Sequence, residues 1–168
     1  MTASAPVPSF SLVDHDDRPV TVADYQGRWL VVFFGFTHCR MVCPRALGRL
    51  TAALDRLGDR AAAIQPLYIT VDPDRDTPTV MREFLRSYPR FTGLTGSTEQ
   101  IGEAKEAFRV FTRRTSDPED PEGYAVPHTA ITYLISPEGA YADSWTEALD
   151  SDQIADRLRA HVPAGESL

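Results

Sequence analysis

The run Leu30 to Phe36, LVVFFGF, carries no polar side chain for seven positions. Successive side chains of a strand point to opposite faces, so a strand with nothing polar in it is covered on both sides. At this length the run reads as a buried strand. A sheet covered on both faces requires a layer of other elements above it and another below.

The rest of the chain supplies those layers. Leu67 to Val71 (LYITV) and Ala130 to Ile135 (AITYLI) read as further strands, and Pro137-Glu138-Gly139 is a turn that returns Ala140 to Trp145 as a hairpin partner. Leu47, Leu50, Leu54 and Leu57 recur at helical spacing within Arg45 to Leu57, with Gly58 as the stop. Thr77 followed by Pro78 opens a second helix, whose apolar face is Val80, Met81, Phe84 and Leu85. Ser97 and Gln100 have the spacing of a capping box for a helix ending near Phe108. Ser151 is expected to cap a last helix with Ile154, Leu158 and Val162 inward. Asp117 to Gly123, DPEDPEG, is a proline-rich acidic loop. The order strand, helix, strand, helix, helix, strand, strand, helix implies parallel pairing through right-handed crossovers, with an antiparallel strand added by the final hairpin. The expectation is one three-layer α/β domain over residues 1–168, with a mixed central sheet flanked by helices. Thioredoxin-like and flavodoxin-like sheets both satisfy this periodicity.

Composition excludes some classes of function. With 17 basic and 24 acidic residues the formal charge is −7, which argues against the basic surface that nucleic acid requires. No apolar run approaches the ~18–20 residues that span a bilayer. Met1 to Ser11 lacks the basic start and apolar core of a signal peptide, so a complete chain of this sequence is expected in the cytoplasm. The two cysteines are too few for a disulfide scaffold and lie within five residues, which points to redox chemistry or metal binding.

That pair sits in Gly35-Phe36-Thr37-His38-Cys39-Arg40-Met41-Val42-Cys43-Pro44, between the end of the buried strand and the start of a helix. Cys39 is expected in the loop and Cys43 in or beside the first helical turn, where Pro44 is tolerated because first-turn amides have no intrahelical partner. Free amides and the positive end of the helix dipole stabilise a thiolate there, and Arg40 adds to the effect. The thiolate is both nucleophile and metal ligand. The two sulfurs are suited to closing a disulfide or to sharing one soft ion, and two thiolates fit Cu(I) better than an incomplete tetrahedral zinc site. This placement selects the thioredoxin-like arrangement over the flavodoxin-like one.

His128 precedes the third strand and is positioned either to add an imidazole to the two sulfurs, to tune a thiol by its charge, or to act only as a surface or capping residue. His38 should point away from Cys39, and His15 and His161 read as solvent residues. Asp72 and Asp76 lie in the loop Val71 to Pro78, at the carboxyl end of the sheet where α/β domains place their sites. They are candidates to orient the site or dock a partner; turn and capping chemistry explains them equally well.

Taken together, Cys39-x-x-x-Cys43-Pro44, the Val71 to Pro78 loop and the segment His128 to Gly139 resemble the Sco/SenC family in order and spacing, over roughly Pro8 to Val162. The resemblance implies a thioredoxin-like fold with a loop inserted before the histidine. It implies a copper ion held by Cys39, Cys43 and His128, with the cysteines also serving as a redox pair. It further implies copper delivery to cytochrome c oxidase or maintenance of that site's thiols, so the partner is a copper-accepting oxidase subunit or a redox thiol protein. Members are usually exported or membrane-anchored. Two departures stand at the site: Arg40-Met41 where the family often has Pro-Asp, and Pro127 where an Asp usually precedes the histidine. Both remove carboxylates from the neighbourhood of the ligands, and both favour the alternative of a thiol-disulfide oxidoreductase without copper delivery. A thioredoxin-type reductase fits less well: it carries Cys-x-x-Cys and a cis-proline where Ala130 stands here. Peroxiredoxins carry Pro-x-x-x-Thr-x-x-Cys, which neither Cys39 nor Cys43 completes.

Overall fold

The computed structural model describes residues 9–37, 42–110, 115–116, 124–125, 131–146 and 148–163. The strands are β1 (Ser11–Asp14), β2 (Pro19–Thr21), β3 (Trp29–Gly35), β4 (Ile64–Thr70), β5 (Thr92–Thr95), β6 (Thr115–Ser116), β7 (Tyr124–Ala125), β8 (Ile131–Ile135) and β9 (Tyr141–Thr146). The helices are α1 (Val42–Leu57), α2 (Pro78–Phe84), α3 (Thr98–Phe108) and α4 (Ser151–His161).

Seven strands form one sheet in the order β2-β1-β5-β4-β3-β8-β9, and β6 pairs with β7 in a separate short hairpin. β3 runs parallel to β4, and β4 parallel to β5. β8 is antiparallel to β3 and β9 antiparallel to β8. The sheet is therefore mixed, as expected, but the antiparallel pairing begins at β8 itself rather than at the last strand of the hairpin.

The continuous apolar run divides cleanly between the two faces. Val31 and Phe33 join Leu47, Leu50 and Leu54 of α1 and Ile154 and Leu158 of α4 in one buried layer. Leu30, Val32 and Phe34 join Ile101, Ala104 and Phe108 of α3 in the other. Tyr68 of β4 faces the first layer, while Leu67 and Ile69 face the second. Each Val, Leu, Ile or Phe among them stabilises the fold by roughly 1.5–3 kcal/mol when fully buried. β3 thus lies between two helical layers and, as the fifth of seven strands, is interior to the sheet.

The helix ends follow the sequence signals with one shift. Thr77 accepts from the Val80 amide at 3.3 Å, with Pro78 in the first turn. Ser97 and Gln100 make both bonds of a capping box, at 3.1 and 2.9 Å. The cap of α4 is Asp150 rather than Ser151: its carboxylate accepts from the Gln153 amide at 2.9 Å, and Gln153 returns the bond at 3.0 Å. Asp150 wins because Gln153 lies three residues beyond it, the spacing that lets both side chains reach back. Gly58, at φ 57°, leaves α1 in the left-handed region.

Three strands of the sheet go beyond the sequence reading. β1 and β2 form an antiparallel hairpin that extends the sheet past β5, and β5 itself lies between α2 and α3, where two successive helices are expected. Gly93 interrupts the apolar pattern of β5 but is required by packing. A Cβ there would stand 2.8 Å from Leu85 Cδ1 and 3.2 Å from Met81 Cβ. Both residues are buried, at 3% and 0% exposure, so an added Cβ has to displace packed side chains. Gly93→Ala is expected to lower stability by about 1–3 kcal/mol through overpacking, read as a fall in the urea midpoint with the slope unchanged.

Candidate metal and thiol site

β3 and β4 end side by side, and the chain segments that leave them hold each other. The Val71 amide donates to the Gly35 carbonyl at 2.8 Å, which carries the parallel pairing one step past the strands. Beyond that point the chain continues through Phe36 and Thr37, and α1 begins five residues after Thr37, at Val42. Cys43 is the second residue of α1 and Pro44 the third, as the strand-to-helix reading requires. The side chain of Cys43, together with Cys39 and His128, lies outside the described residues, as do His38, Arg40, Met41, Pro127 and the Asp117 to Gly123 loop. Among the described residues no three of His, Cys, Asp and Glu cluster as a metal site.

What the structure does describe is a polar network at Thr37, where the chain leaves β3. Asp76 is fully buried. One carboxylate oxygen accepts from the Thr37 amide at 3.0 Å and from the Thr70 hydroxyl at 2.7 Å. The other accepts from the Thr37 hydroxyl. The backbone carbonyl of Asp76 accepts from the Thr95 hydroxyl at 2.7 Å. Asp76 therefore joins the ends of β3, β4 and β5. Asp72 is 2% exposed; its amide donates to the Thr70 hydroxyl at 2.9 Å and its carboxylate pairs with Arg75. The Arg75 guanidinium lies 6.0 Å from the ring centre of Phe36.

These positions revise the roles expected of the two aspartates. Neither carboxylate is exposed, so neither presents itself to a docking partner. Asp76 goes beyond turn chemistry, because its carboxylate bonds Thr37 past the end of β3 and Thr70 of β4, whereas the bonds of Asp72 run to Thr70 and Arg75 in and beside its own loop. The residues that sequence reasoning misses are Thr37, Thr70 and Thr95. Their signal is a hydroxyl in or beside a strand that is otherwise apolar, since buried hydroxyls are there to bond something.

Two histidines also differ from expectation. His15 is half-buried; its Nδ1 accepts from the Gly93 amide at 3.0 Å, and its carbonyl accepts from Arg82 at 2.8 Å. His161 is half-buried at the end of α4, with Nε2 3.3 Å from Asp143 and its ring 6.2 Å from that of Trp29. Farther from the strand ends, between α3 and the β8–β9 hairpin, a groove of about 890 Å³ is lined by Phe108, Arg109, Tyr133, Tyr141 and Asp143. The Tyr141 hydroxyl donates to the Ala107 carbonyl at 2.8 Å; burial, with Tyr133 nearby and Arg109 opposing, pushes its pKa up to about 12.

A mixed sheet whose buried interior strand is followed by a cysteine-bearing helix start, with helices on both faces, defines a protein of the thioredoxin-like class. A model of the SCO1/SenC family matches residues 2–163, and the chain belongs to that family. It is 40% identical over 162 residues to the mitochondrial SCO2 homolog of Bos taurus, covering 95% of this chain and 60% of that protein. The chain thus spans less than two thirds of the length of this curated relative. Among solved structures it resembles Arabidopsis thaliana ScoI with copper bound, at TM-score 0.85 and 34% identity over 92% of this chain and 96% of that one. It also resembles Bradyrhizobium japonicum ScoI with copper bound, at TM-score 0.84 and 30% identity over 94% of this chain and all of that one.

Burial raises the pKa of Asp76 above the ordinary 3.8; the hydrogen bonds from Thr37 and Thr70 oppose the shift and the nearby Asp72 charge adds to it. A carboxyl raised on folding binds its proton more tightly in the native state, so this group makes the protein more stable as pH falls. The gain begins as pH drops through the raised folded value and is complete below the ordinary one. Denaturation of the parent and of Asp76→Asn between pH 7 and pH 4 is expected to show the parent gaining stability relative to the variant on acidification. A constant difference would place the titration elsewhere.

Proposed function

We propose that this chain holds a copper ion through the thiolates of Cys39 and Cys43 and the imidazole of His128. On this reading it delivers copper to a cytochrome c oxidase subunit or keeps the thiols of that copper site reduced. The observation that carries the reading is the position of Cys43 in the first turn of α1, the helix that follows the buried interior strand β3. Unpaired first-turn amides favour a thiolate there at neutral pH. Membership of the SCO1/SenC family and the likeness to two structures solved with copper bound support the choice of ion.

The donor chemistry fits. Two soft sulfurs and one neutral imidazole suit Cu(I) and leave the site short of the fourth ligand that structural zinc demands. Copper here is cargo. Its binding displaces the thiol protons, and its release follows when thiolates of the acceptor replace Cys39 and Cys43 in turn. Copper affinity therefore falls as pH is lowered and the thiols regain their protons.

A second reading, thiol-disulfide exchange without copper delivery, is favoured by the two departures at the site, Arg40-Met41 and Pro127. In it the Cys39 thiolate attacks a disulfide of the acceptor, and Cys43 resolves the mixed disulfide. Two electrons pass to the acceptor and the chain is left oxidised, to be restored by a dithiol reductant.

Anaerobic titration of the reduced protein with Cu(I) against a competing chelator separates the two. One equivalent bound tightly, with affinity reduced at least tenfold in Cys39→Ser and in His128→Ala, is the expected result. No competitive binding by fully reduced protein would remove copper delivery and leave thiol exchange. Unchanged affinity in His128→Ala would remove the imidazole from the ligand set.

A further inference from the structure

From the bonds that converge on Asp76 we infer that this buried carboxylate is a positioning residue for the cysteine site, acting through Thr37. The inference rests on the copper-site reading above but names a residue outside its ligands.

Asp76 is 0% exposed and receives hydrogen bonds from both donors of a single residue, the amide and the hydroxyl of Thr37. Together these fix both the position and the orientation of Thr37, since a residue held by its backbone and its side chain cannot turn about either bond. The carboxylate is itself held by the Thr70 hydroxyl, and the backbone of Asp76 by the Thr95 hydroxyl and by its own amide on the Asp72 carbonyl at 2.9 Å. The restraint on Thr37 is therefore referred to β4 and β5 through the loop that carries Asp76.

Thr37 is two residues before Cys39, so the two Cα atoms are at most about 7.6 Å apart. On the other side, α1 starts at Val42 and packs Leu47 and Leu50 into the core at 0% and 1% exposure. In sequence Cys39 lies between Thr37, held by Asp76, and a helix held by its core packing. Ligands held in advance spare the ion the cost of ordering them. Groups that orient ligands without touching the metal carry about 10–100-fold of affinity. This chain lacks a carboxylate next to either Cys39 or His128 in sequence, which leaves the orientation of the site to residues that come from elsewhere in the fold.

The test compares Asp76→Asn, Thr37→Val and Thr37→Ser with Ile154→Val, a core substitution in α4. Each is checked for folding by circular dichroism and assayed for Cu(I) affinity by chelator competition. The Cys39–Cys43 dithiol–disulfide equilibrium is measured in parallel against glutathione, which needs no copper. Asp76→Asn and Thr37→Val are expected to lose 10–100-fold in Cu(I) affinity and to shift the glutathione equilibrium. Thr37→Ser, which keeps both donors, should match the parent. Ile154→Val should lose stability while binding copper as the parent does. Should Asp76→Asn not fold, Thr37→Val decides, because it leaves the Asp76–Thr70 bond in place. If the parent itself binds no Cu(I), the copper reading falls and the glutathione arm alone decides the role of Asp76. Folded Asp76→Asn and Thr37→Val proteins that behave as the parent in both assays would overturn the inference.

Discussion

β3 is covered on both faces and paired on both edges, and every other element is placed by reference to it. Its odd-numbered residues Val31 and Phe33 require α1 and α4 on one side; its even-numbered residues Leu30, Val32 and Phe34 require α3 on the other. β4 on one edge and β8 on the other complete its hydrogen bonding. A strand paired on both edges and covered on both faces has no freedom to slide, because a shift of one residue would exchange its two faces. The point where it ends is therefore among the best-determined points in the molecule, and that is where the chain carries its cysteines.

The same end of the sheet holds an expense that hydrophobic packing alone does not require. Burying a carboxylate is costly unless its oxygens are bonded, and Asp76 has three donors drawn from Thr37 and Thr70. Asp72 is buried beside it with Arg75 as its partner. Such a polar network has only one arrangement in which its groups are satisfied, whereas apolar contacts accept many. It gives the loop Val71 to Pro78 a definite shape and ties the exits of three strands together.

Periodicity makes most of the architecture legible. β3, β4, β8, β9 and all four helices carry patterns long enough to read, and Thr77, Ser97 and Gly58 mark ends where the structure has them. β5 is not legible, because four residues with a central glycine offer no alternation, and the need for that glycine comes from Met81 and Leu85 of a different element. The β1–β2 hairpin is missed for a similar reason: Ser11 to Asp14 has a single buried apolar position, Leu12, and is a strand only because β5 is there to pair with it. At the site, the backbone position of Cys43 follows from the strand, the proline and the leucine spacing. The threonines that bind Asp76 do not, since hydrogen bonding between residues far apart in sequence leaves no local pattern. Family resemblance reads the cysteines and His128 as a set where spacing alone leaves several roles open.

The pairing of β3 with β8 joins residues from opposite ends of the chain: Phe33 faces Thr132, and Leu30 faces Ile135. During synthesis the first five strands leave the ribosome long before β8 exists. Until it arrives, the most apolar strand of the protein has an open edge, the situation in which nascent chains pair with one another instead of with themselves. The residues that close this edge follow the segment from Val110 to Ile131, so a longer insertion there prolongs the interval of exposure. In this fold the cost of enlarging that region falls on biogenesis rather than on the finished structure.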